Sequence, residues 1–168
     1  LALAITVRPL REVVDAAERV VDQDVEFVPE ILGPILSCYE KLGQAARARD
    51  FLRGLSERYE GISPVLALAR QIEREDGDAA AAAFLTEQLR VRPSVRGLMA
   101  LIELGLKSAD SGGRTQLTIL DELVRKLLEG KAAYRCTRCG FGARAHHWQC
   151  PSCKSWGTVK PIHGVAGD

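Results

Sequence analysis

The sequence predicts an all-α array of stacked antiparallel helix pairs, closed by a small module built on cysteines. Three observations carry this reading: helical spacing of apolar residues through residues 1–132, a 34-residue recurrence of apolar columns inside that stretch, and the run Cys136-x2-Cys139-x10-Cys150-x2-Cys153. At 168 residues the chain has room for about one ordinary domain and a small appendage, which excludes two large domains. Apolar residues make up 46% and charged residues 27%, the composition of a folded protein and not of a disordered tail. The formal charge is +1, so no global field recruits nucleic acid or an anionic membrane. The longest uninterrupted apolar stretch, Ala79 to Leu85, is far short of the ~18–20 residues that cross a bilayer. No basic-then-apolar leader opens the sequence, so these residues are expected to be soluble. The chain starts at Leu1 and not at Met, which implies a piece of a longer protein.

Helices are expected near 9–23, 28–42, 44–60, 64–76, 78–92, 94–108 and 114–129. Ser63 before Pro64 reads as an N-cap followed by a first-turn proline, and Asp78 and Ser94 read as caps of later segments. Gly33-Pro34 removes a backbone donor inside the second segment, which predicts a kink or a late start there. No stretch of residues 1–132 alternates with period two, so no sheet is expected in it. The run Leu117 to Leu128 should end at Gly130, where a left-handed backbone is free of a Cβ clash. The joint between the two parts of the chain therefore falls at Glu129-Gly130-Lys131.

Gly43 and Gly77, each ending a first helix, lie 34 residues apart. The same shift aligns Phe51, Leu85 and Ile119, then Leu55, Leu89 and Leu123, then Cys38, Ile72 and Leu106, while Val21 begins a partial earlier copy. Paired helices at this period form the tetratricopeptide arrangement, in which neighbours stack because one pair cannot bury its own apolar face. Residues 1–130 resemble such repeats: Tyr39, Gly43, Ala48 and Leu55 occupy motif positions, and Gly77, Ala82 and Leu89 repeat three of them. The third copy is degenerate, with Ser111 and Gln116 at the glycine and small-residue positions. Cys38 falls in an apolar column and is expected to be a buried packing thiol.

Residues 133–168 carry a net +4 against −3 for the preceding part, and hold four of the five cysteines, all three histidines and both tryptophans. In a CxxC turn both sulfurs face one ion while local amides donate to them, so two such turns complete a tetrahedral four-sulfur site for zinc or iron. A module of about 30 residues cannot recover the ~1–2 kcal/mol per residue of backbone ordering from burial alone, and ion binding supplies what is missing. Arg135, Arg138, Arg144 and Lys154 stand near to offset thiolate charge. Two disulfides are the alternative use of these cysteines. A thioredoxin-like redox pair lacks its βαβ context. His146 and His147 are surplus to a filled site, and Glu73, Glu75, Asp76 and Asp78 read as solvated or capping groups. No phosphate loop, serine elbow or HExxH helix is present.

Tyr134-Arg135-Cys136, Cys139-Gly140-Phe141, Trp148, Cys150-Pro151-Ser152-Cys153, Trp156 and Lys160-Pro161-Ile162 together resemble the rubredoxin-type module that closes the lipopolysaccharide assembly protein B family of Gram-negative bacteria. That family also sets the module directly after tetratricopeptide repeats, so the resemblance covers the whole chain, tightly over 134–164. Lys154 departs from free-standing rubredoxins, which usually carry Gly there, and this counts against electron transfer, the remaining alternative. The resemblance implies repeats over 1–130, a metal-binding domain over 134–164, and one iron or zinc ion on Cys136, Cys139, Cys150 and Cys153. It implies a non-enzymatic regulatory adaptor at the cytoplasmic face of the inner membrane, held by a helix that in the family precedes these repeats. Its partners would be a membrane AAA+ protease, the deacetylase of the lipid A pathway whose proteolysis it promotes, and other lipopolysaccharide-assembly proteins. The competing reading is a zinc-ribbon nucleic-acid binder using Arg135, Arg138, Arg144 and Lys154 with Trp148 and Trp156 as stacking platforms. The short link from Gly130 to Ala133 also predicts that the module docks on the last repeats.

Overall fold

The computed structural model describes residues 2–168, with side chains from Pro9 onward. Seven helices occur among the described residues: α1 (Ala2–Gln23), α2 (Val28–Lys41), α3 (Ala45–Arg58), α4 (Ser63–Asp76), α5 (Asp78–Val91), α6 (Val95–Ser108) and α7 (Ser111–Leu128). One 3-10 turn, Val25–Phe27, links α1 to α2. Three short strands follow, β1 (Tyr134–Cys136), β2 (Gly142–Ala143) and β3 (Val159–Pro161), in one antiparallel sheet of order β2-β1-β3. No helix among the described residues is long and apolar enough to cross a membrane.

The helices stack in chain order, each packed on the next. Val21, Val28, Leu32, Leu52, Leu55, Tyr59 and Leu68 form one buried cluster across α1 to α4, and Ile62, Val65, Ala69, Ala81, Leu85 and Leu104 continue it towards α6. Apolar columns at repeat spacing thus become the seam between successive pairs, which removes surface no single pair can hide. Cys38 lies in a third cluster with Val14, Ile35, Tyr39 and Ala48, as expected of a packing thiol. Tyr39 donates to Glu18 Oε1 at 2.8 Å. Burial first, and Glu18 second, push its phenol well above the ordinary range.

Several local expectations needed correction. The first helix begins at Ala2, with Pro9 inside it. The last begins at Ser111, three residues before the expected start, because the Asp110 carboxylate accepts from the Gly113 amide at 2.8 Å and caps it there. Ser63 does not cap α4: it is already helical, and its hydroxyl donates to Asp168 instead. Asp78 is likewise inside α5, whose N-cap is Gly77. Ser94 does cap α6, accepting from the Gly97 amide at 3.3 Å. Helix α2 runs through Gly33-Pro34 from Val28 with no late start. Gly43, Gly77 and Gly130 all take positive φ, as turn glycines closing helices should.

The expected docking on the last repeats is met and extends further. The segment after the sheet packs on the starts of α4 and α6, the first helices of the last two pairs, while the sheet module itself reaches back to the α1–α2 junction. Lys160 pairs with Asp24 and its ammonium lies 4.0 Å from the centre of the Phe27 ring. Tyr134 donates to Glu30 Oε1 at 2.5 Å, and His163 Nε2 lies 2.7 Å from Glu26 Oε2. Further along, Asp168 is buried and accepts from Tyr59 at 2.6 Å, from Arg96 at 2.5 Å and from Ser63. The Val95 amide, the first of α6, donates to Val165 O at 2.7 Å. This carboxylate therefore sits at the electropositive first turns of α4 and α6. Burial, followed by Asp168, drives the Tyr59 phenol far above its usual range and keeps it a donor at neutral pH.

Candidate metal centre

The two CxxC turns are near copies of each other. In the first, the Gly140 amide donates to Cys136 O at 2.9 Å; in the second, the Lys154 amide donates to Cys150 O at 2.9 Å. Each turn points two amides at its leading sulfur, those of Arg138 and Cys139 at Cys136 and those of Ser152 and Cys153 at Cys150. β1 delivers Cys136 from the sheet, and the Cys136 amide is held by Phe141 O at 2.8 Å. Cys136 and Cys150 are buried with Val159 in the small core of the module, whereas Cys139 is exposed.

The four sulfurs all lie within 4.8 Å of one another. Cys136 and Cys153 are 3.7 Å apart, as are Cys139 and Cys150. Four sulfurs at about 2.3 Å from a central ion define a tetrahedron with edges of about 3.8 Å, so the donor set fits a closed tetrathiolate site. Two hydroxyls complete the surround: Thr158 Oγ1 is 3.3 Å from Cys136 Sγ, and Ser155 Oγ is 3.4 Å from Cys153 Sγ. The Thr158 hydroxyl foremost, with the turn amides, lowers the Cys136 thiol to about 6, and Ser155 lowers Cys153. Burial raises Cys150 to about 11. A divalent ion would relieve that burial penalty, and the hydroxyls and amides stabilise the sulfurs in their charged form.

The other sequence candidates have separate employment. His146 packs edge-on against Trp148, Phe27 and Tyr134 at centroid distances of 4.6, 5.6 and 5.7 Å, and His147 lies beside Phe141; neither belongs to the sulfur cluster. Glu73 and Asp78 both bind Lys107, and Glu75 binds Arg49, so this acidic group ties successive repeats together. Arg138 donates to Ser155 Oγ at 2.8 Å, linking one knuckle to the other. Thr158, Ser155 and Asp168 were not singled out by sequence reasoning. The hydroxyls offered a signal in their position just after the second CxxC, while Asp168 offered none.

Lys154 stands at φ +59, the left-handed conformation that Gly140 adopts at φ +78 in the first knuckle. A side chain there is strained by roughly 1 kcal/mol. Lys154→Gly should therefore raise the stability of the metal-loaded module by about 0.5–1 kcal/mol, read as an upward shift of its denaturation midpoint.

Residues 134–161 match the family model described as rubredoxin metal binding domain. Across 155 residues the chain is 38% identical to lipopolysaccharide assembly protein B of Escherichia coli (strain K12), covering 92% of this chain and 40% of that protein. It is 33% identical over 153 residues to the protein of the same name in Haemophilus influenzae, covering 90% of this chain and 39% of the relative. The chain thus spans about 40% of the length of these curated relatives. Similarity runs through both the helices and the sheet module.

Proposed function

This chain is a homologue of lipopolysaccharide assembly protein B, and from that premise we propose that it is part of a non-enzymatic adaptor that holds down lipopolysaccharide levels. The carrying observation is similarity over 92% of the chain, which spans the helical array and the metal module together. In this reading residues 1–130 are tetratricopeptide repeats that bind protein, and residues 134–164 are a metal-stapled domain. Cys136, Cys139, Cys150 and Cys153 hold one zinc or iron ion, which supplies a cross-link between the two knuckles. The chain's own residues do the rest: Tyr134, Lys160, His163 and Asp168 fix the stapled surface against Glu30, Asp24, Glu26 and the starts of α4 and α6. Partners then meet one composite face. At the inner membrane, the adaptor promotes proteolysis of the lipid A-pathway deacetylase by a membrane AAA+ protease and helps to organise lipopolysaccharide-synthesis proteins.

Of the four cations a nucleic-acid interface would use, Arg138 donates to Ser155 Oγ and Lys154 to Pro151 O, and this favours the adaptor reading, because cations engaged internally are withdrawn from phosphate. The test is complementation of depleted cells with the full-length protein. Wild type should return deacetylase turnover to normal. A Cys136→Ser/Cys139→Ser version should leave the deacetylase long-lived and lipopolysaccharide in excess, while Cys38→Ala should behave nearly as wild type, since only packing is lost. Full restoration of turnover by a membrane-localised double cysteine variant would overturn the role assigned to the metal module.

A further inference from the structure

The outer face of α7 contradicts the rule that a stacked array ends on a polar surface. Ile119, Leu120, Leu123 and Leu127 are each 48–58% exposed there. Their spacing places them in one stripe along the helix, with buried Val124 at its inner edge. Shifting each back by one or two 34-residue periods gives Leu85, Leu52, Leu55 and Tyr59, all at most 2% exposed. Two periods back the columns of Leu120, Leu123 and Leu127 are covered by the helices that follow, whereas one period back Leu85 is buried, Thr86 and Leu89 are half-buried and Pro93 is exposed. The terminal repeat has kept the apolar residues of a stacking seam with no following pair upon it. Leu98 on α6, 42% exposed, lies in the column of fully buried Pro64.

We propose that this face is a self-association surface on which α7 of a second copy of the chain packs antiparallel, with the two-fold axis near Leu123. The charges select this occupant. Glu122 and Lys126 flank the apolar stripe on one side and have no ion-pair or hydrogen-bond partner among the described residues. An antiparallel pairing about Leu123 and Val124 sets Leu120 against Leu127 of the second copy and brings each Glu122 beside the other copy's Lys126. The stripe and its flank are thus self-complementary, as an isologous interface requires. A parallel two-fold pairing would put the two Glu122–Lys126 flanks on opposite sides of the seam, where they cannot meet.

Sedimentation of the reduced, zinc-loaded 168-residue chain tests this. A single helix-pair seam is small for an obligate dimer, so the mass should rise from 18.3 kDa towards twice that value as concentration passes through about 10–100 µM. Leu123→Glu should weaken the dimer at least about tenfold without loss of helix signal, because the residue is solvent-facing in the single chain. Glu122→Lys and Lys126→Glu should each weaken it by about threefold, and the double exchange should recover it, because the swapped charges again face each other. A mass that stays at one chain up to about 500 µM would overturn the proposal and leave the face to a helix of another protein. So would a dimer indifferent to Leu123→Glu, or a double exchange no better than either single change.

Discussion

Replacing Cys136 and Cys150 by serine is expected to leave less than about half an equivalent of zinc plus iron on the reduced protein, and to unfold residues 134–164. The buried core of the module is only Cys136, Cys150 and Val159, with Tyr134, Phe141 and Cys153 partly covered around it. Nothing in so small a core replaces the ion. Elemental analysis reads the first effect, and loss of protected amides in β1 and β3 reads the second. Helix signal should persist, since the array has clusters of its own. The same site predicts a pH dependence. The ion binds thiolate, whereas burial holds the Cys150 thiol at about 11 when no ion is present. Binding therefore expels at least this proton around neutrality, and apparent affinity should rise at least about tenfold per pH unit. Below about 6 Cys136 also takes up a proton, and the dependence should steepen. Full retention of the ion by the double variant, or an affinity that falls as pH rises, would contradict the assignment.

Asp168→Ala should be the most damaging single change outside the cysteines. It leaves the buried Tyr59 hydroxyl and the Ser63 hydroxyl without their acceptor, and frees Arg96 at the start of α6. An orphaned buried donor costs about 1–3 kcal/mol, and the half-exposed Arg96 adds little, so the expected total is about 2–4 kcal/mol. Chemical denaturation of the metal-loaded chain measures it. The approach to this residue is tight as well. A Cβ on Gly167 would sit 1.8 Å from Ile162 O, so even Gly167→Ala must displace the backbone that presents Asp168. Faster exchange of the Val95 amide, which bonds Val165 O, would report undocking of this segment in either variant.

The sulfur cluster and the repeat period were legible because both are local patterns. CxxC brings two sulfurs together within one turn, and a 34-residue recurrence is a property of the sequence itself. Ser94 was read as a cap correctly because capping is settled within three residues. Ser63 was misread because a stronger acceptor, Asp168, lies 105 residues away in sequence and close in space. The docking surface was half legible for the same reason: the last repeats were expected, and the α1–α2 junction was not. The +4 of the module was legible, but no local rule joins it to Asp24, Glu26 and Glu30, whose partners lie 104 to 137 positions away. The counter-charge reading concerns Arg135, Arg138, Arg144 and Lys154, whereas the cation that reaches the helices is Lys160, on Asp24.

That reach from residues 134–168 back to Asp24, Glu26 and Glu30 changes how the chain should come apart. A plain helical solenoid holds together by nearest-neighbour contacts, frays from its ends and loses repeats one at a time. Here the segment after α7 is fastened to the α1–α2 junction and to α4 and α6, so no helix pair can peel away without also breaking the fastening. Contacts of high sequence separation make unfolding more nearly all-or-none, and they raise contact order, which slows folding. Loss of the ion would return the array to piecemeal melting.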